Sequence, residues 1–177
     1  MLYWIKFQKK LELAMNEFAL IQKYFKKLTY NNPSALNLND DVFFDKKNNV
    51  VVSSDTYVEG VHFLDFRKPD LVIKKILRSS ISDLYCKGVK PKFIFIGASG
   101  NKKSFSKKNL NLVYKSLNQE QKKYKIKLSG GDTTKSNKTT FTITSLGYSK
   151  KIVQRNKCKN NDAVSYTHLT LPTRDDV

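Results

Sequence analysis

Apolar residues recur at helical spacing in three segments of this chain, and each segment predicts an α-helix. The first is residues 16–28, where Asn16 can cap the helix and Glu17 suits its first turn. The second is residues 69–87, because Pro69 is a common first-turn residue and Gly88 a common stop signal. The third is residues 108–122.

Shorter apolar runs between turn residues predict strands. Residues 42–44 and 50–52 read as an antiparallel pair, because the residues between them are Asp, Lys and Asn. Further strands are predicted at residues 92–98, 125–128 and 139–147, the last with alternating polar and apolar positions. The order β-β-α-β-α-β-β indicates a mixed α/β or α+β domain.

Length and composition are those of a globular protein. With 177 residues and 40% hydrophobic residues, the chain can form one or two small domains with a real core. No apolar run reaches the length of a membrane span, and residues 1–13 lack the unbroken apolar centre of a secretory signal. Cys86 and Cys158 are far apart and form neither metal spacing nor a disulfide framework. We therefore expect a cytoplasmic protein with no membrane partner.

The formal net charge of +18 raises the alternative of a Lys-rich nucleic-acid-binding module. Arginine, the usual residue for reading bases, occurs only at Arg67, Arg78, Arg155 and Arg174. The lysines are spread along the chain, and no known nucleic-acid-binding motif is visible. We expect no specific nucleic-acid partner, and this module remains the main non-enzyme alternative.

Acidic residues stand where they could line a cleft. Asp55 follows a strand, and Gly131 and Asp132 follow another; paired glycines allow a backbone to approach a phosphate closely. Asp41 could equally be a loop residue, Asp83 a solvated helix carboxylate, and Asp132 part of a tight turn. We nevertheless expect Asp41, Asp55, Asp83 and Asp132 to converge on one cleft, with Asp55 and Asp132 on one face of the sheet, because Mg²⁺ between them would offset their repulsion.

Phosphate loops and nucleophile pairs are missing from the sequence. An acidic cleft without a nucleophile suits direct, metal-assisted phosphoryl transfer, with no catalytic side chain. His62 is a candidate ligand contact, although a lone histidine is more often structural.

Several motifs follow one another along the chain: the opening Asn16-Glu17-Phe18-Ala19-Leu20-Ile21, Asn39-Asp40-Asp41, the stretch from Ser53 to Phe63, Ser82-Asp83-Leu84 with Lys87-Gly88, and Gly130-Gly131-Asp132-Thr133-Thr134. Their order is that found in bacterial thiamine-monophosphate kinases, and the chain resembles that family over residues 15–162. Asn39 and Ser54 are mild departures from the family pattern, which usually has Gly and Thr at these positions.

The resemblance implies the aminoimidazole-ribonucleotide-synthetase-like superfamily. Its N-terminal domain has an α/β (α+β) fold in which a mixed, mostly antiparallel sheet carries helices packed on one face and dimerises through that sheet. The partners that the resemblance implies are ATP and thiamine monophosphate, and the implied cofactor is Mg²⁺, with several ions bound. The resemblance also implies a homodimer and, as product, thiamine diphosphate. Another ATP-using member of the superfamily is the related-enzyme alternative.

Motif positions in the resemblance also imply individual roles. The Mg²⁺ ligands would be Asp41, Ser53, Ser54, Asp55, Asp83 and Asp132. The ATP contacts would be Gly131, Asp132, Arg155 and Tyr114, and His62 would contact the substrate.

The two ends of the chain differ in character from residues 15–162, which we expect to be the ATP- and Mg²⁺-binding N-terminal kinase domain. Residues 1–14 fit no part of the pattern and are interpreted as a non-native extension. Residues 163–177 resemble the translation of a transposon-end sequencing adapter and are interpreted as a foreign tail. Because the family continues into a second domain, we expect a fragment with little or no turnover of its own.

Overall fold

A five-stranded sheet is the framework of the computed structural model, which describes residues 17–155. The strands are β1 (Phe43–Asp45), β2 (Val50–Val58), β3 (Pro91–Gly100), β4 (Lys127–Lys135) and β5 (Thr140–Tyr148). The α-helices are α1 (Glu17–Leu20), α2 (Pro69–Cys86) and α3 (Lys107–Tyr124). A π-helical turn, Ile21–Phe25, and two 3-10 segments, Lys26–Thr29 and Pro33–Leu38, follow α1.

The strands lie in the order β1-β2-β5-β3-β4. The pairs β1–β2, β2–β5 and β5–β3 are antiparallel, whereas β3 and β4 run parallel. Parallel neighbours need a crossover connection, and α3 provides it between β3 and β4. With α2 and α3 packed on one face, this arrangement confirms the predicted α/β (α+β) fold and the predicted element order.

Helix α2 packs against the sheet through the apolar face that the sequence predicted. Its buried side chains include Ile73, Ile76, Leu77, Ile81 and Leu84, each at most 1% exposed. Burying one such side chain contributes about 1.5–3 kcal/mol, so this face is a main source of stability. As predicted, the helix starts at Pro69 and stops before Gly88, whose φ is +74°.

An ion pair holds α3 against α2. The Arg78 guanidinium donates to both carboxylate oxygens of Glu120, at 2.7 and 2.8 Å, and Glu120 is 2% exposed. Ser106 caps α3 by accepting a hydrogen bond from the backbone N–H of Asn109. None of the helices within residues 17–155 is both long and apolar enough to cross a membrane.

The predicted helix over residues 16–28 is helical in all its described residues, but only Glu17–Leu20 is α-helical and the rest is π-helix and 3-10 helix. The α-helical part ends at Leu20, and none of the side chains in residues 17–29 is buried. Phe18 and Leu28 are more than 60% exposed. A helix this short depends on packing of its apolar side, and the described residues provide no such packing here. Asn16, residues 1–14 and residues 163–177 lie outside the described residues, so the predictions made for them stay predictions.

A bulge in β4 reverses the side on which its functional motif projects. Leu128 pairs with Ile94 and Gly130 with Phe95, so Ser129 is an extra residue in the strand. Side chains alternate with a period of two, and one extra residue therefore moves all later residues to the opposite face. The sequence predicted that the strand would end at Leu128, but it continues to Lys135.

The bulge places Asp132 on the face of the sheet away from the helices, called the open face below. Asp132 pairs with Gly97, which in turn pairs with Thr142. The Thr142 hydroxyl hydrogen-bonds the Thr56 hydroxyl, so Asp132, Thr142 and Thr56 are on the same face. Asp55 is next to Thr56 in β2 and points to the other face, so Asp55 and Asp132 lie on opposite faces. The expectation that they share a face is wrong, because the uninterrupted alternation that it assumed is broken at Ser129.

We expect Gly131→Ala to destabilise the protein by about 3 kcal/mol in urea unfolding, the upper range for overpacking. A Cβ at this position would lie 2.0 Å from the carbonyl oxygen of Ile96, and the residue has a φ of +155°. Gly130→Ala is the matched control, because its Cβ would meet only the Phe95 ring, at 3.1 Å. Equal unfolding free energies for the two variants would contradict this close approach of β3 and β4.

Candidate functional site

Two carboxylates face each other on the helix side of the sheet. Alternation along β2 turns Ser53, Asp55 and Tyr57 toward α2, because they are two residues apart. On α2, Asp83 accepts a hydrogen bond of 2.9 Å from the Ser53 hydroxyl. Tyr57 donates a 3.3 Å hydrogen bond to Asp55. The cluster therefore consists of hydroxyl and carboxylate oxygens from two elements of the core.

Both carboxylates hold their protons more tightly than an exposed aspartate. Burial raises the pKa of Asp55, and the negative charge of Asp83 raises it further. Burial also raises the pKa of Asp83, although the Ser53 hydrogen bond partly opposes this, and Asp41 adds to the increase. Burial is also the main reason that the pKa of Tyr57 rises to about 12. A cation between Asp55 and Asp83 would relieve their repulsion.

A second acidic pair lies beside this cluster and is already neutralised by two cations. Lys87 contacts Asp40 at 2.5 Å, and both side chains are buried. The backbone N–H of Arg155 also donates to Asp40, at 3.1 Å. The Arg155 guanidinium donates to both oxygens of Asp41, at 2.5 and 2.6 Å. Burial opposes the ionisation of Asp40, but the Lys87 and backbone hydrogen bonds outweigh it and lower the pKa.

The donor chemistry of the first cluster fits Mg²⁺, which prefers carboxylate and hydroxyl oxygens. Asp55, Asp83 and Ser53 supply such oxygens, and Asp41 is close enough to raise the pKa of both carboxyls. Within residues 17–155, however, no three Asp, Glu, His or Cys side chains are gathered closely enough to hold an ion. The third carboxylate, Asp41, is engaged by Arg155.

Two of the predicted Mg²⁺ ligands lie away from this cluster. Ser54 points to the open face, where its hydroxyl hydrogen-bonds Thr144 at 2.9 Å. Asp132 is exposed on the same face, on β4, and β5 and β3 separate it from β2. The predicted convergence of four carboxylates is therefore wrong for Asp132 in this single chain. Asp41, Asp55 and Asp83 do lie near one another.

The predicted ATP contacts fall into two groups. Gly131 and Asp132 border an apolar groove of about 760 Å³ between α3 and the β3–β4 edge. Tyr114 is on α3 next to Val113, which lines that groove, and is 69% exposed. Arg155 lies with Asp41 instead. The described residues thus place an apolar surface beside Gly131 and a cation beside the carboxylates.

His62 has a structural role in the turn that follows β2. Its Nδ1 accepts a 3.0 Å hydrogen bond from the backbone N–H of Val58, and its ring meets Tyr57 edge-on. The ring is therefore held in one orientation. The predicted substrate contact stays a prediction.

Asp40 and Lys87 are functional candidates that sequence reasoning missed, although both stand inside quoted motifs. Lys87 follows Asp83 by four residues and therefore lies on the same side of α2, which is a signal available from the sequence. No local signal reveals that Asp40 is its partner, because they are brought together by tertiary packing.

Comparisons with known proteins agree with this fold and these motifs. Residues 38–149 match the family described as AIR synthase related protein, N-terminal domain. The thiamine-monophosphate kinase of Haemophilus influenzae is 30% identical over 165 residues, which is 90% of this chain and 49% of that protein. The thiamine-monophosphate kinase of Buchnera aphidicola subsp. Schizaphis graminum is 34% identical over 166 residues, covering 88% of this chain and 49% of the relative.

Solved structures show the same fold. One described as AaThiL complexed with AMPPCP and TMP has a TM-score of 0.71 at 23% identity and covers 83% of this chain. This chain corresponds to 48% of that structure. The chain therefore spans about half the length of the curated relatives that it matches.

Lys87→Met should lower the free energy of unfolding by about 3 kcal/mol, because it leaves the buried Asp40 carboxylate without its cation. The matched control is Lys90→Met, which removes the same charge at an exposed position. Adding Asp40→Asn to Lys87→Met should recover much of the loss in urea unfolding. Equal stability of the two lysine variants would show that the ion pair has no structural weight.

Asp55→Asn should stabilise the metal-free protein at pH 7 by about 1 kcal/mol, because it removes a half-buried negative charge; this is a usual size for a stabilising substitution at a functional site. The pKa of Asp55 is raised above the ordinary 3.8 in the folded state. The contribution of Asp55 to the free energy of unfolding is therefore highest below pH 3.8, where Asp55 is protonated, and it falls as the pH rises through the folded-state pKa and the carboxyl ionises. The advantage of the variant should therefore be largest at neutral pH and disappear below pH 3.8. Thermal unfolding in EDTA across this range measures it; an advantage that grows on acidification would refute the assigned direction.

Proposed function

Since the chain belongs to the family of AIR synthase related proteins, through their N-terminal domain, we propose that it is the nucleotide- and metal-binding half of a kinase. The proposed reaction transfers the γ-phosphoryl group of ATP to thiamine monophosphate and yields thiamine diphosphate. The observation that carries the proposal is the facing pair Asp55 and Asp83, two half-buried carboxylates whose pKa values are raised mainly by burial and further by neighbouring carboxylates. Magnesium with bound phosphates meets that need.

The acceptor is proposed from the relatives. The curated relatives that match most of this chain are thiamine-monophosphate kinases. A solved structure with this fold is described as complexed with AMPPCP and TMP. The fold by itself does not choose an acceptor, so another superfamily member with a different acceptor is the second outcome of the assay below. Because the chain covers 49% of these relatives, turnover is proposed for the complete protein rather than for this half.

In the proposed reaction, individual residues of this chain would bind the metal and the phosphates. Asp55 and Asp83 would hold Mg²⁺ with Asp41, and the Ser53 hydroxyl orients Asp83. Mg²⁺ bound there supplies charge neutralisation for the phosphate oxygens. The Arg155 guanidinium donates through Nη2 to both oxygens of Asp41, and a guanidinium is equally suited to donate to phosphate oxygens. No side-chain nucleophile is required, because an acceptor phosphate oxygen attacks directly.

Ser54 and Asp132 would act at the open face, whereas Gly131 borders the apolar groove on the helix side of the sheet. We propose that the open face is where two copies of the chain associate, in line with the family resemblance. In a dimer, residues of the open face would be covered without disturbing the Asp55–Asp83 cluster on the other side. Sedimentation measures this association, and a monomer at all concentrations would contradict it.

The nucleic-acid alternative has little support from the chain's chemistry. Family membership accounts for the motifs, and the strong positive charge needs no separate function to explain it. Binding to duplex or single-stranded nucleic acid that stays tight at physiological ionic strength would revive it, because non-specific binding weakens steeply with salt.

The decisive assay uses the complete gene product and measures thiamine diphosphate formation with ATP and Mg²⁺. Asp55→Asn should reduce kcat by at least about 100-fold, the scale for losing one preorganised electrostatic contact. Asp132→Asn tests the open-face site separately. Asp65→Asn is the control, since Asp65 pairs with Arg67 at the surface. Absence of product from the wild type would refute the reaction, whereas full activity of Asp55→Asn at limiting Mg²⁺ would refute the residue assignment.

A further inference from the structure

The two ion pairs beside the acidic cluster differ sharply in their exposure. In the Lys87–Asp40 pair the side chains are 6% and 5% exposed. In the Arg155–Asp41 pair they are 50% and 40% exposed. The first pair is therefore fixed inside the protein, whereas the second lies where solvent and ligands can reach it.

The exposed pair can exchange its partners at little cost. An ion pair at the surface contributes about 0–1 kcal/mol, whereas breaking a buried pair costs about 3–5 kcal/mol. The guanidinium fork of Arg155 fits a phosphate as well as a carboxylate. Asp41, in turn, has the oxygen chemistry that a divalent cation takes. Its Oδ2 lies 3.9 Å from the Lys87 Nζ, and Lys87 follows Asp83 by about one helical turn.

We propose that Arg155 is an exchangeable counter-ion of Asp41 that couples metal binding to nucleotide binding. Without ligands, Arg155 occupies the carboxylate that would complete a site with Asp55 and Asp83. A divalent cation displaces Arg155 from Asp41, and the phosphate oxygens of a nucleoside triphosphate then accept hydrogen bonds from the Arg155 guanidinium. This inference rests on the proposed function, since it assumes that the cluster receives a metal and a nucleotide.

Thermodynamic linkage makes the exchange reciprocal. The cation competes with Arg155 for Asp41, and the phosphate competes with Asp41 for Arg155. Each ligand removes the competitor of the other, so each should strengthen the binding of the other by the same factor. The Lys87–Asp40 pair keeps its place meanwhile and holds the backbone of Asp41, whose N–H donates to Asp40 at 2.8 Å.

The first arm of the test measures binding of Mn²⁺ alone to the 177-residue chain, using the EPR signal of the free ion. Arg155→Met should bind Mn²⁺ about fivefold more tightly than wild type, the effect expected from removing an exposed competitor. Arg67→Met is the matched control, because it removes an equal charge from another exposed ion pair and should leave the affinity unchanged.

The second arm separates exchange from a general effect of charge. Binding of AMPPCP is measured in EDTA for wild type, Asp41→Asn, Arg155→Met and the double variant. Asp41→Asn should tighten AMPPCP binding about fivefold when Arg155 is present, and by clearly less when it is absent. This difference is the coupling between the two side chains.

The outcomes distinguish the inference from the proposed function. If Mn²⁺ binds equally to wild type and Arg155→Met, or if the two substitutions act additively on AMPPCP binding, the exchange is refuted while the proposed function stands. If no variant binds Mn²⁺ or AMPPCP, both are refuted. Tighter Mn²⁺ binding by Arg155→Met alone, together with non-additivity, supports the exchange.

Discussion

The repulsion between Asp55 and Asp83 is the constraint on which the arrangement of the site depends. Two half-buried carboxylates are held close together at the boundary between β2 and α2, where burial disfavours their charged forms. The hydroxyls of Ser53 and Tyr57 offset part of that repulsion. A rigid apolar interface between helix and sheet keeps the carboxylates in place although they disfavour each other, and this is the usual way in which a protein prepares a cation site.

Charge balance explains why a strongly basic protein can carry such a site. The formal net charge is +18, yet the positive side chains near the cluster have specific partners. Lys87 pairs with Asp40 in the interior and also lies 3.9 Å from Asp41, while Arg155 pairs with Asp41 at the surface. The remaining pair, Asp55 and Asp83, has hydroxyl partners instead of a cation. The site therefore presents a local negative potential inside a positive field, which favours cation entry there and anion approach around it.

Local signals explain which parts of the structure the sequence could predict. Pro69 and Gly88 delimit α2 through their own backbone preferences, and the helical spacing of its apolar residues identified the buried face. The strand alternation of residues 140–148 was visible for the same reason. Asp55 and Asp83 were found as candidates because each stands in a recognisable motif, and the structure brings them together.

Non-local features explain the rest. Arg155 and Asp41 are 114 positions apart, so no pattern in the sequence links them. The segment 17–29 has helical spacing, but its conformation depends on packing that spacing does not reveal. Finally, the Ser129 bulge determines the side on which Asp132 projects. The number of residues before this point in β4 therefore decides which face each later side chain occupies. Inserting or deleting one residue near position 129 would leave the glycine–aspartate motif unchanged in sequence but would place its carboxylate on the other face of the sheet. When relatives are aligned, a one-residue gap at this point therefore matters more than many substitutions within the motif.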